Sequence, residues 1–259
     1  MIRDQIKDFL NKRDTLKTLS SIDFKTANVV VLTGAGISEE SGLSTFRDQG
    51  GLWENHKIED VCTPQAFITN PERVLSFYNQ RREQFVKSNI RPNAAHEALK
   101  KLEDSLGNRL TIITQNIDAL HELAGSKNVI HVHGEINKNK CAVCQHVYES
   151  QGSIPYPNEC SRCLSKNSQR PNVVFFKEDL QHTIVIEKVL NKCQLIIAIG
   201  TSGVVYPVAF YPSLVQDQGG LSLCLNKEVP ANSAYFNHVL LGSATKLVPS
   251  IVDFILDRA

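Results

Sequence analysis

Five short apolar runs, each ending in a polar, glycine-rich or histidine-containing stretch, constrain this chain more than any other feature. They cover residues 28–32, 110–114, 128–132, 195–199 and 221–225. Their β-branched content and near-continuous hydrophobicity predict strands buried on both faces, as in a parallel sheet. Helical patterns lie between them, for example over 93–106, and strands alternating with helices predict an open α/β sheet. In such sheets ligands bind beyond the carboxyl ends of the strands. Here those ends carry TGAGIS, TQNID, HVHGE, GTSG and LN, which places one site at one edge of the sheet.

Two stretches break the alternation. Residues 42–90 read as a helical insertion after the first strand. Residues 134–175 are poor in strand signal and hold four of the seven cysteines. Together they are expected to form a smaller domain over the site. A length of 259 residues suits one large domain with such an appendage. A formal net charge of +1 offers no electrostatic reason to expect nucleic acid or an anionic membrane as partner. No apolar run has the length of a membrane span. The opening MIRDQIKDFLNKRD mixes basic and acidic residues and lacks the apolar core of an export signal. Ile2, Ile6, Phe9 and Leu10 form a helical stripe there. A cytoplasmic, reducing location is expected, and with it free thiols.

Cys141-x2-Cys144, fifteen residues, then Cys160-x2-Cys163 has the spacing of a zinc ribbon. Four thiolates complete a tetrahedral site and leave no open position, so the ion is expected to be structural. Cys193 and Cys224 flank or lie in predicted strands and read as core residues.

The run from Val29 to Ser38, VVVLTGAGIS, is a strand entering a glycine turn. Gly34 and Gly36 would let backbone amides approach a pyrophosphate near a helix N-terminus. A tight turn that needs positive φ explains the same glycines equally well. Asn226, after the last predicted strand, is a candidate for the adenosine end of a nucleotide.

Taken in order, GAGISEESGLSTFRD (34–48), TQNID (114–118), HVHGE (131–135), the four cysteines, RPNVVFF (170–176), GTSGVVYP (200–207), LN (225–226) and GSA (242–244) resemble the sirtuin family. The resemblance runs from about Val29 to the C-terminus. It implies a Rossmann-like domain over 1–41, 91–133 and 176–259, and a smaller helical and zinc-binding domain over 42–90 and 134–175. It implies NAD as co-substrate, an acyl-lysine of a protein or peptide as partner, and no nucleic acid or membrane. By the same resemblance Gly34, Ala35, Gly36, Gly200, Thr201 and Ser202 contact phosphate and ribose. Phe46 and Arg47 lie by the nicotinamide. Gln115, Asn116 and Ile117 border the nicotinamide-side ribose, Asp118 serves the carboxamide, and Asn226 and Ala244 sit by the adenosine. Val174 belongs to the substrate-binding stretch. The acyl oxygen attacks C1′ of the ribose and nicotinamide leaves. The resemblance makes His133, with Asn116, the catalytic residue that would remove a ribose hydroxyl proton, a task that suits an imidazole titrating near neutrality. The resemblance further implies that this hydroxyl attacks the imidate intermediate and that water then releases free lysine and O-acyl-ADP-ribose. His131 and His133 share a strand face, and an H-x-H pair binding metal is the alternative for them.

Asn70-Pro71 has the form of an N-cap followed by proline at the first helical position. Val74, Phe77, Tyr78, Arg81 and Phe85 then fall on one stripe. An arginine on that stripe either snorkels, forms a structural ion pair, or waits for a ligand anion. The Tyr78-x-x-Arg81 pair resembles class III sirtuins, which remove succinyl, malonyl and related acidic acyl groups, and Thr45 fits the same class. Gln49 and Lys177 depart from it: the relatives usually carry alanine and glycine there. A deacetylase without acidic preference, a mono-ADP-ribosyltransferase and a non-catalytic NAD or ADP-ribose sensor are the alternatives.

Overall fold

The computed structural model describes residues 12–43, 52–53, 56–150 and 152–259. Its centre is a six-stranded parallel sheet of β1 (Val29–Thr33), β4 (Leu110–Thr114), β5 (Val129–His131), β9 (Leu195–Ile199), β10 (Leu221–Asn226) and β11 (His238–Leu241). The spatial order is β11-β10-β9-β1-β4-β5. The chain builds outward from β1 to one side, then returns and builds to the other, so the order reverses between β1 and β9. Such a switch point opens a crevice at the carboxyl ends of the two strands. The five runs predicted from sequence are all strands: 110–114 and 195–199 match at both ends, and the other three differ by no more than one residue at either end. β11 was not predicted, because four residues ending in an exposed Leu241 carry too little pattern.

Both sheet faces are covered. Val29 and Val31 point into one core, shared with α5 (Ala94–Leu106) and α9 (Ala244–Leu256). Val30 and Leu32 point into the other, shared with α7 (Thr183–Leu190) and α8 (Tyr211–Asp217). This alternation is the two-residue period of a strand. Helix α1 (residues 12–19) adds Leu19 to the first core. The stripe expected from Ile2 to Leu10 lies outside the described residues.

Beyond β1 come β2 (Leu52–Trp53), β3 (His56–Lys57), α2 (Ile58–Val61), α3 (Pro64–Thr69) and α4 (Pro71–Lys87). Asn70 caps α4 by accepting the Arg73 amide at 3.1 Å, with Pro71 at the first helical position. A cap of this kind contributes about 1 kcal/mol. A short α6 (Leu120–Leu123) follows β4. The stretch 134–175 differs from the expectation: it holds an antiparallel sheet of β6 (Gly134–Cys141), β7 (Val147–Glu149) and β8 (Gln169–Val173). An antiparallel sheet can leave one face in water, so its strands need no continuous apolar run and escape detection. Ile136 and Val173 of this sheet pack with Val74, Phe77 and Tyr78 of α4 in a third core.

Candidate functional site

The crevice predicted by the strand order is a cleft of about 1160 Å³. Its lining includes the ends of β1 and β9 together with residues of α4 and of the 173–178 segment.

The two glycine turns interlock through their backbones. Gly34 N donates to Ile199 O and Gly36 N to Gly200 O, each at 2.9 Å. A Cβ on Gly34 would lie 2.7 Å from Gly200 O, and one on Gly36 would lie 2.7 Å from Gly200 Cα. Neither Gly34 nor Gly36 has positive φ, whereas Gly200 has φ +61°. Close backbone approach, not turn conformation, is therefore what excludes a side chain at Gly34 and Gly36. The turn after β1 continues as two 3-10 turns, Ala35–Ile37 and Glu39–Ser41, in place of the expected helix N-terminus.

A buried polar cluster sits beneath these turns. Asn116 Nδ2 donates to Gly34 O and to Ser38 Oγ, both at 3.2 Å. Ser38 Oγ donates to Asp118 Oδ2 at 3.0 Å, and the Leu120 amide donates to Asp118 Oδ1 at 3.0 Å. Burial raises the Asp118 carboxyl above its ordinary pKa, and these bonds only partly offset the effect. Ser38 thus organises two site residues. It was not singled out from the sequence, although it closes the quoted TGAGIS stretch.

The two histidines of HVHGE differ. His131 is buried, with Nδ1 2.9 Å from Asn116 O and Nε2 2.9 Å from Glu122 Oε1. Both acceptors lack protons, so both ring nitrogens donate. Burial opposes the charge, but Glu122 outweighs it and the pKa is raised. His133 lines the cleft, and its Nδ1 donates to Gln115 O at 2.8 Å. That bond leaves Nε2 as the basic nitrogen. Burial lowers the His133 pKa, with the Gln115 carbonyl pulling the other way. Among the described residues the one group of three or more metal-ligating side chains is the four cysteines, and both ring nitrogens of His131 are already engaged by Asn116 and Glu122.

Gln115, Ile117, Thr201, Ser202, Asn226 and Ala244 all line the cleft with Ala35. Asn226 Nδ2 donates to Thr201 O at 3.0 Å, joining the ends of β9 and β10. Phe46, Arg47, Thr45 and Gln49 lie outside the described residues. In the 173–178 segment, Val174 N donates to His133 O at 2.8 Å, and Phe176 N to Cys62 O at 2.9 Å. Arg170 holds this segment by a bidentate pair with Glu178, both bonds 2.7 Å, and its guanidinium lies 3.6 Å from the Phe175 ring centroid. Lys177 lines the cleft with φ +74°, a conformation that favours glycine.

Arg81 lines the cleft and lies over the Phe77 ring at 5.1 Å. Tyr78, its expected partner, is fully buried, and its hydroxyl donates to Cys62 Sγ at 3.3 Å. Cys62 itself lines the cleft. Tyr78 therefore does not line the cleft with Arg81; it packs against Cys62, which does.

The four cysteine sulfurs lie within 4.8 Å of one another. Cys141 and Cys163 are 3.6 Å apart, and Cys144 and Cys160 are 3.8 Å apart. Sulfurs bound tetrahedrally at about 2.3 Å from zinc stand roughly 3.8 Å apart. The amides of Val143 and Cys144 both donate to Cys141 Sγ at 3.4 Å, as befits a thiolate in a metal knuckle. The cluster fits one structural zinc ion.

The Sir2 family model matches residues 34–207. An NAD-dependent protein deacylase of Vibrio vulnificus is 46% identical over 235 residues, covering 91% of this chain and 96% of that protein. One of Leishmania major is 46% identical over 234 residues, covering 89% and 96%. Among solved structures, a mutant Sir2 homologue in complex with ADP-ribose has a TM-score of 0.83 at 36% identity, covering 94% of this chain and 96% of the other. A Sir2 protein with a deacetylated p53 peptide and 3′-O-acetyl ADP-ribose has a TM-score of 0.76 at 29% identity, covering 95% and 98%.

Proposed function

The chain belongs to the Sir2 family, and on that premise we propose that it is an NAD-dependent protein-lysine deacylase acting on acidic acyl groups such as succinyl and malonyl as well as acetyl. NAD, when bound, supplies an electrophilic ribose carbon. Gly34, Gly36 and Gly200 keep the wall of the cleft free of side chains, which suits a pyrophosphate against backbone. Asn116 and Asp118, held through Ser38, fix the polar floor. His133 takes a proton at Nε2, its ring oriented by the Gln115 carbonyl. Val174 to Lys177 offer an edge of chain to an acyl-lysine peptide. The zinc ion stays outside the chemistry, since its four thiolates leave no open position.

The acyl preference rests on one observation: Arg81 lines the same cleft as His133. A carboxylate losing water in an apolar pocket is prohibitive unless a cation meets it, and a guanidinium can meet it with two bonds. One assay tests the reading, with succinyl-, malonyl- and acetyl-lysine peptides side by side. Arg81→Met should lower kcat/KM for succinyl-lysine by roughly thirtyfold or more, on about 2–5 kcal/mol for a buried charged pair. Acetyl-lysine should be spared. Tyr78→Phe should act in the same direction but less, as it removes a neutral donor. Equal loss on both substrates in Arg81→Met would remove the acidic preference from the proposal. Plain deacetylation is the second reading, favoured by the Tyr78 hydroxyl being engaged by Cys62.

A further inference from the structure

Helix α4 carries two adjacent stripes with different partners. Arg81 lines the cleft, and Tyr78, three residues before it, touches Cys62, which lines it too. Asn79 and Arg82, also three apart and so on one face, belong to the zinc module. Arg82 Nε donates to Ile136 O at 2.7 Å, Nη1 to Gly152 O at 2.9 Å, and Nη2 to Lys138 O at 3.2 Å and Asn139 Oδ1 at 2.6 Å. Every guanidinium nitrogen thus ends on the stretch 136–152, which includes the first cysteine pair. Asn79 adds a reciprocal pair with Ile154, each bond 2.9 Å. Ile136 in turn lines the cleft, and its amide donates to Ile117 O at 2.9 Å. A continuous set of bonds therefore runs from the cysteine module through Arg82 to the cleft wall. A guanidinium bound to four neutral oxygens is costly to bury, and burial accordingly lowers the Arg82 pKa to about 10. Such a cost is sustained by a site that needs the arginine's fixed planar fork.

We propose that Arg82 is a positioning residue: it pins α4 to the zinc module and thereby holds Arg81 at the cleft wall, so that zinc retention and acyl-lysine binding are coupled. Coupling between two binding sites is reciprocal. Anything that fixes the cleft wall at Ile136 or Arg81 should steady the cysteine module, and loss of the module should loosen the cleft. The choice of succinyl-lysine as one probe rests on the acidic-acyl reading above, while the zinc measurement stands without it.

The experiment follows zinc release from the full-length, zinc-loaded protein to a chromophoric chelator, with and without saturating acetyl- or succinyl-lysine peptide. In the wild type the peptide should slow release several-fold. In Arg82→Met, release without peptide should be about tenfold faster or more, since bonds from a charged donor are lost, and the peptide should no longer protect. Arg82→Lys should recover part of the retention, and Asn79→Ala, which leaves the guanidinium in place, should show a weaker form of the same change if Arg82→Met fails to fold. Wild-type release in Arg82→Met, or protection that survives the substitution, would overturn the proposal. The ratio of succinyl to acetyl kcat/KM separates the two readings. If Arg81→Met collapses that ratio and a folded Arg82→Met keeps it, Arg82 does not position Arg81. If wild type and Arg81→Met treat both acyl groups alike, the acidic reading falls, and peptide protection of zinc by acetyl-lysine decides the role of Arg82.

Discussion

The imidazole of His133 donates from Nδ1 to the main-chain carbonyl of Gln115 across 2.8 Å. The bond joins the ends of two strand-end motifs, TQNID and HVHGE, and it sets the tautomer that leaves Nε2 able to accept a proton. His133→Ala should therefore bind NAD nearly as well as wild type and turn over about a hundredfold more slowly or worse. Because burial lowers the His133 pKa, the base form persists below pH 6.5, and the acid limb of kcat/KM should fall below that value. Near-normal deacylation by the variant, or an acid limb above 6.5, would contradict the assignment. His131, with both nitrogens engaged, should not reproduce the loss.

Cys160→Ala removes one of four sulfurs that stand 3.6–3.8 Å apart in pairs. Binding energy at a structural site is folding energy. The variant should lose its zinc and melt at a clearly lower temperature. Elemental analysis paired with a thermal scan checks this: wild-type protein without zinc, or a fully stable variant without it, would be the contrary result.

A pH dependence of stability is expected from His96 and His121. Both rings are buried, with centroids 5.0 Å apart. Burial lowers His96 to about 4 and His121 well below its ordinary value. The unfolded chain takes up these protons near pH 6.5 and the folded chain does not, so stability is complete above about 6.5 and is lost as pH falls toward 4. His96 Nδ1 accepts the Asn93 amide in a capping box, a place where glutamine also serves. His96→Gln should therefore keep the cap and reduce the loss of stability between pH 7 and pH 5 by about 2 kcal/mol. Urea unfolding at the two pH values measures it; an unchanged difference would clear His96 of the effect.

Lys177 holds φ +74° at the cleft rim. A left-handed conformation costs a non-glycine residue about 1–2 kcal/mol. Lys177→Gly should raise stability by roughly 1 kcal/mol, and the melting temperature by about 2–4 °C. If the lysine is kept for recognition, the same variant should lose kcat/KM on peptides with acidic residues flanking the acyl-lysine. A less stable variant would show that the side chain contributes more by packing than its backbone costs.

The elements legible in the sequence are those whose cause is local. The cysteine spacing defines a metal module because each knuckle closes within four residues. Asn70 and Pro71 start α4 by capping chemistry that needs only the next turn. The buried strands show as apolar runs because both of their faces must leave water. Other features depend on groups distant in sequence. Gly34 and Gly36 lack side chains because Gly200, 166 and 164 residues later, passes within van der Waals contact of them. The strands β6 to β8 have one wet face and so no apolar run. Two histidines two residues apart each meet a carbonyl, yet they part company because His131 also meets Glu122 whereas His133 lines the cleft. Tyr78 and Arg81 share a helical stripe, yet the hydroxyl turns to Cys62 while the guanidinium lines the cleft. Periodicity and short-range spacing made five of the six sheet strands, the cysteine module and the family of chemistry legible in the sequence. Tertiary structure alone decided which side chains face the cleft, because that depends on partners brought together only when the chain closes on itself.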